Sequence, residues 1–160
     1  MSILLFRVDE RLIHGQVTVG WGARLRPSTY VIVDDRLAGS PWEQELYRMG
    51  LSDGAVAHFV SVERARELLS LWMEGKEGCF LLTRDLDSMA RLAQGGGLVG
   101  CTVNLGGLHH APGREEVLPY LYLTSQDRER LEELEASGAE VEARDLPASR
   151  PVGMEALRES

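Results

Sequence analysis

The chain has 160 residues, a formal net charge of −8, 44% hydrophobic residues and 26% charged residues. A chain of this length folds as one domain that buries roughly 70% of its unfolded surface, and the composition excludes a disordered or fibrous protein. The negative charge opposes nucleic acid and anionic membrane surfaces, so neither is an expected partner.

Apolar runs read as buried strands alternate with amphipathic segments. Ile3–Val8 forms the first strand, and a helix runs from Gly15 to about Leu25, closed by Arg26-Pro27. Tyr30–Val33 is the second strand and ends at Asp34-Asp35. Ser40-Pro41-Trp42-Glu43 then supplies an N-cap, a first-turn proline and a capping-box glutamate for a helix to about Leu51. Asp53-Gly54 turns the chain into a strand at Ala55–Val60. Ser61 caps a helix that places Ala65, Leu68, Leu69 and Trp72 on one face.

Cys79–Leu82 is another apolar strand, Asp85 opens a helix over Leu86–Ala93, and Gly95-Gly96-Gly97 breaks it. Strands at Cys101–Leu105 and Val117–Leu123 follow, then a helix over Ser125–Ser137 with Gly138 at its end. A short strand at Glu140–Ala143 comes last, and the chain from Pro147 to Ser160 reads as an extended, loosely held tail. This βα rhythm predicts right-handed crossovers and an α/β domain over residues 1–160 whose mainly parallel sheet is covered on both faces. Met1-Ser2-Ile3 leads straight into a strand, with no basic leader, cleavage site or membrane-length apolar run, so a soluble cytoplasmic protein is expected.

Ligands of open α/β sheets bind beyond the carboxyl ends of the strands, which directs attention to loops 9–14, 34–40, 83–85 and 104–113. In the first, His14 stands at a helix entrance, where unpaired N–H groups and the positive end of the helix dipole welcome a phosphate. Gly15 permits close backbone approach, Arg11 offers a planar donor fork, and Asp9 can hold Arg11 or a ring N–H. Residues 1–36 carry five arginines against four acids, a net +1 that leaves −9 for the rest and suits an anionic ligand.

Other positions are open to two readings. Asp34-Asp35 suits either a partner for Arg11 or a cap on the next segment. Asn104 with Gly106-Gly107 suits either a phosphate-facing backbone or a tight turn. His14, His109 and His110 raise a metal site, but adjacent histidines rarely share one ion and no carboxylate has a supporting spacing, so no metal is expected. His58 reads as a packed core residue, and Cys79 and Cys101 as reduced core thiols.

The run Val8-Asp9-Glu10-Arg11-Leu12-Ile13-His14-Gly15-Gln16-Val17 resembles the signature D-x-R-L-I-H-G-Q-V of the enzyme IIB component of the mannose/fructose/sorbose family of the phosphoenolpyruvate-dependent sugar phosphotransferase system. The resemblance extends through Gly20-Trp21, Val31–Asp35 and Val103–Gly107, and its layout spans about residues 2–152. It implies a three-layer α/β/α fold and a phosphohistidine at His14 with no cofactor. It further implies a IIA phosphoryl donor, membrane components IIC and IID holding the sugar, and an active-site loop that includes Asp9, Arg11 and Gln16. Leu108-His109-His110 departs from the Met and an aromatic or other residue that follow the glycine pair in many members.

Two functions fit the motif: a IIB subunit that passes phosphate from His14 to sugar, and a regulatory phosphoprotein in which phospho-His14 controls another protein. A binding domain holding an anion on His14 and Arg11 is a third.

Overall fold

The computed structural model describes residues 2–51 and 54–159; Asp53 of the expected Asp53-Gly54 turn lies outside them. Nine strands and six helices succeed one another as β1 (Ser2–Val8), α1 (π-helical over Gln16–Trp21, α-helical over Gly22–Leu25), β2 (Thr29–Val33), α2 (Pro41–Arg48), β3 (Val56–Val60), α3 (Val62–Glu74), β4 (Gly78–Thr83), α4 (Leu86–Ala93), β5 (Thr102–Leu105), β6 (Glu115–Leu118), β7 (Leu121–Leu123), α5 (Ser125–Ala136), β8 (Glu140–Ala143), β9 (Val152–Gly153) and α6 (Met154–Glu159).

Seven strands form one sheet in the order β3-β2-β4-β1-β5-β8-β9, parallel throughout except that β9 runs antiparallel to β8. Alternation along the strands explains the layers. Leu5, Ile32, Phe80 and Leu82 point to the α1 side, with Val17 and Trp21 of that helix. Phe6, Val8, Val31, Val33 and Leu81 point to the opposite side, against residues of α3, α4, α5 and α6. Burial on both faces is why these strands read as continuous apolar runs. The three-layer α/β/α arrangement is the one expected.

From β1 the chain passes over β4 to β2, builds β3, returns to β4, and only then crosses to β5 on the other flank of β1. The loops after β1 and β5 therefore open a crevice at the carboxyl end of β1, where strand order reverses.

Four expectations differ from the structure. Val117–Leu123 is no single strand: Pro119 cannot continue the ladder, and β6 and β7 form an antiparallel hairpin around it. The tail is docked, since β9 pairs with β8 and Met154 and Leu157, three residues apart on one helix face, are buried in the core. Ser40 makes no side-chain cap bond, and the Glu43 side chain pairs with Arg36 at 3.2 Å in place of the capping-box bond. His58 is exposed, because β3 is the sheet edge and its residues 56 and 58 face away from buried Ala57. The caps at Ser61 and Asp85 form as expected, and Thr124 caps α5 in a capping box with Asp127.

Candidate functional site at the carboxyl end of β1

The loop after β1 is pinned at both flanks. Asp9 N–H donates to Thr83 O at the end of β4 at 3.0 Å, and Glu10 N–H donates to Gly107 O beyond β5 at 3.0 Å. A turn then closes from Leu12 N–H to Asp9 O at 3.0 Å. Leu12 takes φ = 55°, unusual for a residue with a side chain, and its fully buried side chain holds it there. His14 follows at the foot of α1, and its carbonyl accepts from Val17 and Thr18 N–H at 3.0 and 2.9 Å. The π-helical turn that opens α1 is a geometry often found at functional sites.

Asp9 organises the cluster. Its Oδ1 accepts the Arg11 N–H at 3.1 Å and lies 3.6 Å from Arg11 Nε. Its Oδ2 accepts from Arg7 Nη2 and Gly107 N–H, each at 3.2 Å. His14 Nε2 lies 3.1 Å from the same oxygen, without the alignment of a hydrogen bond. Burial pushes the Asp9 carboxyl up, but His14, Arg7 and the Arg11 N–H outweigh it and hold the pKa at about 2.

Arg7 is fully buried at the end of β1. Its Nη1 donates to Asn104 Oδ1 and, at 2.8 Å, to Arg144 O; its Nη2 also donates to Asp145 O at 3.0 Å. The guanidinium stands 5.4 Å from the Trp21 ring centre, and the indole N–H donates to Asp145 O at 3.0 Å. Burial lowers the Arg7 pKa, and the Asp9 carboxylate opposes that shift. Gly106 passes so close to this pair that a Cβ there would lie 2.6 Å from Asp9 Oδ2 and nearer still to Arg7. That approach explains the first glycine of the pair.

His14, Arg11, Asp9, Gln16 and Gly107 come together. Arg11, 42% exposed in its side chain, donates from Nη2 to Gln16 Oε1 at 3.0 Å. Gly15 is exposed, with nothing within 4 Å of a Cβ built on it. Asn104 is buried and supports Arg7 without reaching the loop surface. Asp34 and Asp35 do not orient Arg11. Asp34 caps the turn at Arg36 and Leu37 and pairs with Arg84 at 3.4 Å, while Asp35 caps α3 through Val62 N–H and pairs with Arg91 at 2.9 Å.

The three histidines do not converge as a metal site would require. His110 stacks edge-on against Tyr122, and His109 is tied to Glu10. Among the described residues, no group of three His, Cys, Asp or Glu is placed to hold a metal. Cys79 and Cys101 sit at the amino-terminal ends of β4 and β5, opposite the crevice. Burial pushes both thiols up, Cys79 to about 12, so neither supplies a thiolate to this site.

Sequence reasoning missed Arg7, Glu10 and Arg114. Arg7 had a signal, as the one charge inside an apolar strand run. Glu10 and Arg114 had none, because only the fold brings them together, at 3.1 Å.

The crevice at the reversal point of this parallel α/β/α sheet holds a histidine against a buried carboxylate and beside an arginine fork, a set of groups suited to an anionic ligand. The chain belongs to the family described as PTS system sorbose subfamily IIB component, whose model matches residues 3–159. It is thus a phosphotransferase-system IIB subunit. It is 29% identical over 152 residues to the N-acetylgalactosamine-specific phosphotransferase enzyme IIB component 1 of Escherichia coli strain K12, covering 93% of this chain and 94% of the relative. To the E. coli K12 mannose-specific EIIAB component it is 31% identical over 144 residues, covering 90% of this chain and 44% of that protein. The crystal structure of the IIBSor domain of the Klebsiella pneumoniae sorbose permease superposes with a TM-score of 0.86 at 25% identity, covering 100% and 98% of the two chains. Among the described residues, no helix is long and apolar enough to cross a membrane.

Proposed function

We propose that the chain works in the cytoplasm, takes a phosphoryl group from a phosphohistidine on a IIA protein onto His14, and passes it to a sugar held by membrane components during uptake. The observation that carries this reading is the 3.1 Å contact of His14 Nε2 with the buried Asp9 carboxylate, beside Arg11. An ionised carboxylate favours hydrogen on Nε2, which leaves the lone pair on Nδ1 as the nucleophile. The P–N bond of the donor breaks as the P–Nδ1 bond forms. In the second transfer that bond breaks, its electron pair returning to Nδ1, as a sugar hydroxyl oxygen bonds to phosphorus and releases its proton to solvent. The transferring group carries negative charge on its outer oxygens, and Arg11 and the N–H groups opening α1 meet it. The relative that joins IIA and IIB in one chain supports a IIA partner.

The test is to incubate the chain with phosphorylated IIA in buffer containing EDTA. An acid-labile, alkali-stable phosphate is expected on His14, formed at the same rate as without chelator and absent from His14→Ala. Label that persists in that variant, or transfer that needs an added metal, refutes the assignment.

A further inference from the structure

We propose that His109 is a further catalytic residue, donating from Nε2 to an oxygen of the phosphoryl group on the side opposite Arg11; the proposal rests on His14 being the phosphorylated residue. Two nitrogens from separate loops face one empty point. A Cβ built on Gly107 would lie 3.2 Å from His109 Nε2 and 3.3 Å from Arg11 Nη2, so the two nitrogens are at most about 6.5 Å apart. Two nitrogens no farther apart than this can each donate a hydrogen bond of about 2.8 Å to oxygens of one phosphoryl group. The missing side chain of Gly107 keeps the space open. Its N–H is on Asp9 Oδ2, the oxygen that His14 Nε2 approaches.

The position of His109 is built. Leu108, just before it, is buried and exchanges backbone bonds with Tyr120 O and Tyr122 N–H at 3.0 and 2.7 Å. His109 N–H donates to Glu10 Oε1 at 2.7 Å, and Arg114 Nη1 donates to His109 O at 2.7 Å. Glu10 Oε1 also faces His109 Nδ1, and Arg114 holds Glu10 Oε2 at 3.1 Å. Burial pushes the Glu10 carboxyl up, but the N–H groups of His109 and Arg114 outweigh it and keep it ionised. An ionised carboxylate only accepts, so the Nδ1 facing it carries hydrogen.

Nε2 is then a lone pair in the neutral ring and a donor in the imidazolium. The charged groups facing the ring are Glu10, Arg114 and Arg11, and Nε2 donates to the phosphoryl oxygen in the protonated form of the ring. The extra proton comes from solvent, and His109 forms no bond to phosphorus.

The test uses the full chain with phosphoramidate as a chemically defined phosphoryl donor, reading the rate of phospho-His14 formation and its 31P resonance. His109→Phe is expected to slow formation about tenfold or more and to move the resonance, with His109→Gln, which keeps a neutral N–H donor, lying between Phe and wild type. Circular dichroism should match wild type in both, because the side chain is half exposed. Wild-type rates and resonances in both variants, or phosphate found on His109 itself, would overturn the proposal. Failure of the underlying reading looks different: it is the absence of an adduct on His14 in the unaltered chain.

Discussion

Gly106→Ala places one methyl group against the buried pair that orients the site. The new carbon would lie 2.6 Å from Asp9 Oδ2 and closer still to the Arg7 guanidinium, where roughly 3.4 Å is needed, so something must move by about 1 Å. Arg7 has nowhere to retreat, with Asn104, the carbonyls of Arg144 and Asp145, and Trp21 around it. Shifting the end of β5 costs about 1–3 kcal/mol as overpacking, and breaking the buried pair costs about 3–5 kcal/mol. A loss of about 2–4 kcal/mol is expected, which lowers Tm by roughly 5–15 °C in a chain of this size. Asp9 Oδ2 would also lose its hold on Gly107 N–H and its place beside His14, so phosphorylation by phospho-IIA should slow at least about tenfold. The matched control is Gly39→Ala, where a Cβ meets nothing within 4 Å; its Tm and transfer rate should stay at wild type. Calorimetry and transfer kinetics on the two variants decide the matter. A Gly106→Ala protein with unchanged Tm and unchanged transfer would show that the Arg7–Asp9 pair does not hold the site rigid.

Arg11→Lys should keep the fold, since Arg11 is half exposed, but should slow transfer by about 10- to 100-fold, because a point charge cannot span Asp9, Gln16 and the phosphoryl group; unaltered single-turnover rates in both directions would limit Arg11 to supporting the loop. Asp9 predicts an acid limb of stability. Its folded-state pKa of about 2 lies below the unfolded 3.8, so its contribution is complete above about pH 4 and is lost as pH falls towards 2. That contribution is about 2 kcal/mol, and denaturant melts across this range should show the gap between wild type and Asp9→Asn closing with acid; a constant gap would contradict it.

The residues proposed to carry the chemistry were legible because they are contiguous. Asp9, Arg11 and His14 lie within six positions between a strand and a helix, so local pattern set them at a strand end, while Gln16, in the first turn of that helix, entered through the family resemblance. The parallel layered sheet was legible for a related reason, since burial on both faces writes Tyr30–Val33 and Cys79–Leu82 as unbroken apolar runs. What failed depended on distance along the chain. Asn104, Arg144 and Asp145 meet Arg7 across 97 to 138 positions, and Glu10 meets Arg114 across 104. No spacing rule encodes such pairs, and they follow only from β1 lying between β4 and β5, with β8 beyond. The docked tail was misread because its polar composition hides two buried side chains, Met154 and Leu157. The hairpin at β6 and β7 was missed despite a legible signal, since Pro119 stands in the middle of the apolar run.

The buried arginine also resolves a conflict in the chemistry. If His14 carries the phosphoryl dianion as proposed, an aspartate 3.1 Å from its ring would, if alone, repel the group it helps to place. Removing the aspartate would free the ring and lose control of the tautomer. Arg7 keeps the orientation and cancels the charge, because it pairs with the inner side of Asp9 from a position that solvent and substrate do not reach. Counting Arg7, Asp9 and Arg11 as fully ionised leaves a net +1, carried at the mouth by the partly exposed Arg11, where an incoming phosphoryl group meets it first. Arg7→Met should therefore be worse for transfer than its lost hydrogen bonds alone imply. The methionine fills much of the space, but the uncompensated Asp9 charge then opposes the phosphoryl group directly, and added salt should recover little of the rate because a buried charge is poorly screened.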